Sequence, residues 1–167
     1  MLEHDLELTE SEMHLYSRQI LLDGWDIEAQ EKLKLANVLI VGCGGIGCTT
    51  AELLARAGVG KISLIDADKV EISNLQRQIA YIAQDVGFYK SEILAKRLQT
   101  INPFIQVESY TSKLDENNAQ ALIAQQDLVL DGCDNFTTRY QVNHICTQLH
   151  IPLVSASAIG FQGQLFM

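Results

Sequence analysis

Three glycines in the run Gly42-Cys43-Gly44-Gly45-Ile46-Gly47 stand at the Gly-x-Gly-x-x-Gly spacing. The first permits a tight turn, the second lets a phosphate approach the backbone, and the third lets a helix pack closely on a strand. A helix opening at this point presents unpaired N–H groups and its positive dipole end to an anion. Asp66 closes the next apolar run, where its carboxylate can accept hydrogen bonds from ribose hydroxyls. Without a ligand the pattern is only a close-packed turn; with one, it predicts a bound nucleotide. On these residues alone an NAD-dependent oxidoreductase leads.

A second group of residues shifts that reading. Ser73-Asn74-Leu75-Gln76-Arg77-Gln78 follows the Asp66 run, and Lys90 comes soon after. A dinucleotide dehydrogenase has no general need for an Asn, an Arg and a Lys here. A nucleoside triphosphate does, because Arg grips phosphate oxygens as a fork and Lys supplies a compact point charge. Asp134 and Asn135 end the segment Asp131-Gly132-Cys133-Asp134-Asn135, behind a further apolar run. A carboxylate at the end of a strand suits Mg²⁺ that bridges phosphates. The plainer alternative is that Asp131 or Asp134 caps the next helix.

These residues need elements to hold them. Thr9 with Glu12 fits a capping box, and Asp26 fits the cap of a helix over Ile27 to Leu35. Apolar runs at Asn37 to Val41, Lys61 to Ile65, Ile105 to Ser109, Leu128 to Leu130 and Leu153 to Ser155 read as strands. Helices are expected over Thr49 to Ala57, Ser91 to Ile101, Asn117 to Gln125 and Thr137 to Leu149. Such alternation predicts an α/β fold, a doubly wound and mostly parallel sheet with a Rossmann-like nucleotide-binding half. Gly160 to Met167 reads as one more strand, and its abrupt stop reads as a fragment truncated at the C-terminus. The organisation expected is one domain over 1–167, with N-terminal helices in 1–36 and the Rossmann-like core in 37–167.

Composition narrows the setting. Asp and Glu outnumber Lys and Arg by 21 to 12, a formal net charge of −9. That surface repels nucleic acid and anionic membrane, so neither is expected as a partner. Against this background each cation near a motif is informative. No apolar run is long enough for a membrane span, and the acidic start resembles no secretory or transit signal. Cys43, Cys48, Cys133 and Cys146 form no Cys-x-x-Cys pair and read as reduced thiols in a cytoplasmic protein. His144 and His150 read as structural or exposed, and Trp25 as core or interface.

Taken together, the segments Tyr16-Ser17-Arg18-Gln19-Ile20, Gly42 to Gly47, Leu64-Ile65-Asp66-Ala67-Asp68, Ser73 to Gln78, Val86-Gly87 with Lys90, Ile101-Asn102-Pro103 and Asp131 to Asn135 resemble the MoeB, ThiF and HesA family. This is the bacterial branch of the ubiquitin-activating enzymes, and the MoeB-like members are the nearest in pattern. The resemblance implies an ATP- and Mg²⁺-dependent adenylyltransferase. Its partner would be a ubiquitin-like sulfur-carrier protein, whose C-terminal Gly-Gly carboxylate is adenylated for molybdopterin or thiamin biosynthesis. It further implies a homodimer. Gly42, Gly44, Gly45 and Gly47 would form the phosphate turn, and Asp66 would bind the ribose. Asn74, Arg77 and Lys90 would contact the phosphates. Asp68, Gln76 and Asn135 would also bind the nucleotide. Asp134 would organise Mg²⁺. Arg18 would reach the ATP of the other subunit, although on its own it reads as a surface arginine. Arg18, Arg77, Lys90 and Asp134 are therefore the expected catalytic set. Longer members carry Zn²⁺ on two Cys-x-x-Cys pairs, and no such ligands stand in this sequence. Two other readings stay open: a nucleotide-binding or dimerisation module without catalysis, and the NAD-dependent oxidoreductase.

Overall fold

Leucine, isoleucine and valine alternate between two buried faces in the central strand, and that alternation organises the computed structural model, which describes residues 7–167. In β1 (Asn37–Val41), Val38 and Ile40 join one core while Leu39 and Val41 join the other. A strand buried on both faces must be covered by helices on both, which is why its sequence is an unbroken apolar run. The first core holds β2 (Lys61–Ile65) under α4 (Gly45–Ala57) and α5 (Lys90–Ile101), through Ala51, Ala55, Ile62, Leu64, Leu94 and Leu98. On the other face, Val129, Ala119, Ile123, Val142 and Cys146 bind β4 (Leu128–Asp131) to α6 (Ala119–Ile123) and α7 (Phe136–Leu149).

With β3 (Gln106–Tyr110), β5 (Leu153–Ile159) and β6 (Gln162–Phe166), the sheet order is β3-β2-β1-β4-β5-β6. Neighbouring strands are parallel from β3 to β5, and β6 returns antiparallel to β5. The α/β fold and mostly parallel sheet expected from the sequence are therefore present. The direction of winding reverses between β1 and β4. In open sheets of this kind the crevice outside the strand ends at that reversal is where ligands bind.

Several boundaries differ from the sequence reading, each for a local reason. Helix α4 opens at Gly45 rather than Thr49, because packing against the strand ends overrides the poor helix propensity of glycine. Lys90 is itself the first residue of α5. An Asx-type turn, in which Asp115 accepts from the Asn117 N–H and Asn118 accepts from the Asp115 N–H, delays α6 to Ala119. Strand β5 runs on to Ile159 because β6 folds back on it as a hairpin.

The N-terminal helices α1 (Glu10–Leu15), α2 (Ser17–Ile20) and α3 (Ile27–Leu35) pack at the far end of α4. The side chains of Gln19 and Gln30 both donate to the Ala57 carbonyl, and the Trp25 indole N–H donates to Gln30. Asn102, fully buried, donates to the Tyr16 hydroxyl oxygen and to the Ala55 carbonyl, both at 2.7 Å. The Asn102-Pro103 motif thus ties α5 to the N-terminal layer.

Both caps expected at this end are made. Asp26 accepts from the Ala29 N–H at 2.8 Å, and Thr9 and Glu12 close a reciprocal capping box. Burial pushes the Glu12 carboxyl up, but hydrogen bonds from Thr9 and Lys34 outweigh it and hold it below the ordinary value of 4.5. A depressed carboxyl contributes stability above its unfolded value and loses it as pH falls through its folded one. Glu12→Gln should therefore lower unfolding free energy by about 1–2 kcal/mol at pH 7. Urea titrations should show that gap narrowing once the pH drops below 4.5.

Candidate nucleotide site

The β1–α4 turn is built on a backbone contact. Gly42 adopts φ +89°, and a Cβ on Gly47 would fall 1.8 Å from the Gly42 carbonyl oxygen. A Cβ on Gly42 would in turn lie 3.1 Å from the backbone of Gly132 and Cys133, in the β4–α7 turn. The two turns at the switch point therefore interlock, and only glycine permits it. Gly44 is different: a Cβ there would meet nothing nearer than the Gln78 side chain at 3.8 Å. Packing within the chain does not demand that glycine, while a phosphate approaching the backbone would. Gly44 caps α4 without a side-chain hydrogen bond, so the 13-residue helix opens with uncapped N–H groups.

Asp66, at the end of β2, accepts from the Cys43 N–H and from the Asp68 N–H, each at 2.7 Å. Desolvation pushes its carboxyl up, against those hydrogen bonds and the nearby Lys90. Lys90 is buried, and its Nζ lies 3.0 Å from Asp68 Oδ2. The largely exposed Asp68 thus holds the ammonium beside the turn. Between β2 and α5 the chain makes two short 3₁₀ turns, Ile72–Asn74 and Ala83–Asp85, and folds back over the glycines. A Cβ on Gly45 would sit 3.4 Å from the Arg77 carbonyl oxygen, so the Asn74–Gln78 segment lies directly on the turn. Arg77 is exposed, with Nη1 on the Ser73 carbonyl at 3.0 Å. Asn74 is buried, and its Oδ1 accepts from the Glu71 N–H. Gln76 is exposed.

Asp134 stands exposed just beyond Cys133, with no hydrogen bond or ion pair to any described residue. The helix cap that the sequence left between Asp131 and Asp134 belongs to neither. Asn135 caps α7, its Oδ1 accepting from the Thr138 N–H at 2.9 Å. The geometry thus gathers Lys90, Asp66, Asp68 and the Asn74–Arg77 segment around the turn, with Asp134 on the adjoining one. Arg18 is not among them. It is exposed on α2, whose Gln19 contacts the C-terminal end of α4, about 20 Å along that helix from the glycines.

Three residues at the site escaped the sequence reading of roles. Tyr81 is buried beneath the turn; its hydroxyl donates to the Cys43 carbonyl at 2.7 Å and lies 3.4 Å from that of Lys90. Gln78 is buried with its Oε1 unpartnered, and its place at the end of the Ser73 to Gln78 segment was the available signal. Arg139 reaches back from α7 to Asp131. The four cysteines are buried and free. Burial pushes the Cys133 thiol up to about 12 and the Cys146 thiol up to about 11, so neither is poised as a nucleophile.

A triphosphate fits the uncapped helix start, the open backbone at Gly44 and the flanking cations. Among the described residues no group of three or more His, Cys, Asp or Glu forms a metal cage. A lone exposed carboxylate such as Asp134 suits Mg²⁺ that takes its other ligands from phosphate and water. No helix among the described residues is long and apolar enough to cross a membrane.

Known proteins resemble the chain over most of its length. The profile of the ThiF family matches residues 16–167. The molybdopterin-synthase adenylyltransferase of Escherichia coli K12 is 46% identical over 95% of this chain, which spans 64% of that protein. The sulfur carrier protein ThiS adenylyltransferase of the same organism is 45% identical over 91% of this chain and is spanned to 61%. Among solved structures, E. coli tRNA N6-threonylcarbamoyladenosine dehydratase in complex with ATP superposes with a TM-score of 0.85 at 30% identity, covering 92% of this chain and 63% of that one. The chain thus spans less than two thirds of each of these relatives.

The two glycine environments predict losses of very different size. Gly47→Ala should lower unfolding free energy by about 3 kcal/mol or more, since backbone must move to admit the methyl group. Gly44→Ala should cost less than about 1 kcal/mol. Urea denaturation followed by circular dichroism checks both.

Proposed function

This chain belongs to the ThiF family, and on that basis we propose that it adenylates the C-terminal carboxylate of a ubiquitin-like sulfur-carrier protein. In the proposed reaction a carboxylate oxygen bonds to the α-phosphorus of ATP, the bond to the β-phosphate oxygen breaks, and pyrophosphate leaves. The attacking group is already ionised, so no general base is required. Catalysis is positioning and charge stabilisation.

The observation that carries this reading is Gly44, whose backbone is left open beside an uncapped helix start and the buried Lys90. The N–H groups of α4 receive phosphate oxygens. Lys90 and Arg77 flank them, and Asn74 and Gln76 belong to the same wall. Asp66 and Asp68 take the ribose side, and Asn135 holds the start of α7 beside Asp134. Bound with the nucleotide at Asp134, Mg²⁺ supplies positive charge against the phosphate oxygens. The resemblance implies a homodimer in which Arg18, one helix length from the glycines of its own chain, serves the partner's nucleotide. The four free thiols suit a cytoplasmic setting. Names of relatives support both a molybdopterin and a thiamin route, at nearly equal identity. A nicotinamide oxidoreductase has no comparable support among them.

The test is carrier-dependent exchange of labelled pyrophosphate into ATP. Exchange is expected with a carrier ending in Gly-Gly and Mg²⁺, and not with a carrier lacking that tail. Arg77→Ala, Lys90→Ala and Asp134→Asn should each lower the rate about 100-fold or more, the scale for losing one stabilising charge. Running molybdopterin-type and ThiS-type carriers in parallel selects the route. ATP binding by calorimetry without any exchange selects the binding-module reading instead.

A further inference from the structure

Asp134 is held from both sides by its neighbours rather than by a bond of its own. Behind it, Asn135 pins the start of α7. Ahead of it, Cys133 is gripped at both ends of its backbone: its N–H donates to Asp131 Oδ1 at 3.0 Å, and its carbonyl accepts from Arg139 Nη2 at 2.8 Å. The carbonyl belongs to the peptide group that leads into Asp134, so fixing it fixes the direction from which that residue departs. The two gripping groups are joined: Arg139 Nε lies 3.0 Å from Asp131 Oδ2, and the Ser155 hydroxyl donates to the same oxygen at 2.7 Å. Nη2 also lies 3.3 Å from the Ala156 carbonyl, which ties the grip to β5. The Asp131 side chain is completely buried.

A buried ion pair is weak evidence of a stability role, because desolvation offsets much of its attraction. Its shape is more informative here. The planar guanidinium reaches a carboxylate through Nε and two carbonyls through Nη2, a set of directions that a lysine ammonium does not reproduce. We propose that Arg139 is a positioning residue that, through the Cys133 carbonyl, aims the Asp134 carboxylate at the Mg²⁺ side of the nucleotide. The inference rests on the role given to Asp134 in the proposed reaction.

Arg139→Lys separates aim from charge: it keeps a cation opposite Asp131 and removes the arm on the Cys133 carbonyl. ATP binding to the full chain is measured by calorimetry without Mg²⁺ and across an Mg²⁺ titration, in the wild type, Arg139→Lys, Asp134→Asn and the double variant. Arg139→Lys should raise the Mg²⁺ concentration for half-maximal enhancement of ATP binding about 10-fold. Metal-free ATP affinity should change less than twofold. In the Asp134→Asn background the same substitution should add nothing, because a residue acting through Asp134 has nothing left to aim. Equal losses in both backgrounds, or loss of metal-free binding, would show a merely structural role and overturn the inference. A wild type whose ATP binding ignores Mg²⁺ would overturn the role of Asp134 itself, and this inference with it. If Arg139→Lys loses the native melting transition, Asp131→Asn/Arg139→Gln, which buries no unpaired charge, takes its place in the same cycle.

Discussion

The interlocked backbone of two turns is the constraint on which the rest depends. Gly42 and Gly47 touch across the β1–α4 turn, and Gly42 touches Gly132 and Cys133 across the β4–α7 turn. Because those turns stand on either side of the reversal in sheet winding, their contact sets the depth of the crevice. Each flanking carboxylate depends on one of them. Asp66 is tied to the first through the Cys43 N–H, Tyr81 supports it from below, and Asp134 leaves from the second. Displacing either turn would move the uncapped N–H groups of α4 and the Asp134 carboxylate relative to each other.

Charge follows the same economy of placement. A chain with formal charge −9 brings few cations to this crevice. Lys90 is buried and held by Asp68, so much of its side-chain freedom is lost before any anion arrives. The exposed Arg77 side chain hydrogen-bonds, among the described residues, to the Ser73 carbonyl alone. One cation is thus fixed and the other adaptable, a division that suits the proposed triphosphate.

Sequence patterns revealed the sheet because burial on both faces writes itself as an unbroken apolar run, as in Val38 to Val41. The caps at Thr9 and Asp26 were legible for a similar reason: the whole interaction lies within one turn. The start of α4 was not legible, since glycines at Gly45 and Gly47 argue against a helix until the facing backbone is known. The cap of α7 was expected at Asp131 or Asp134 and is made by Asn135, because three short polar acceptors within five residues look alike in sequence. The Asp131–Arg139–Ser155 network was invisible, because it joins a strand end, a helix and a second strand that spacing alone does not bring together. The residues of the glycine turn were legible as a group because their motif spans one supersecondary unit. Arg18 enters only through the resemblance, for nothing local distinguishes it from a surface arginine.

The hairpin return of β6 has a consequence for any study of assembly. Among the described residues it is one edge of the sheet, and all five of its residues are exposed. A sheet edge left unpaired is a template for a further strand. Wherever that edge stays unpaired, two copies can associate by ladder extension, in a geometry unrelated to one that delivers Arg18 across an interface. A hydrodynamic mass alone would count both as dimers. Cross-linking from α2 would tell them apart, since only one arrangement carries that helix toward a neighbour's glycine turn.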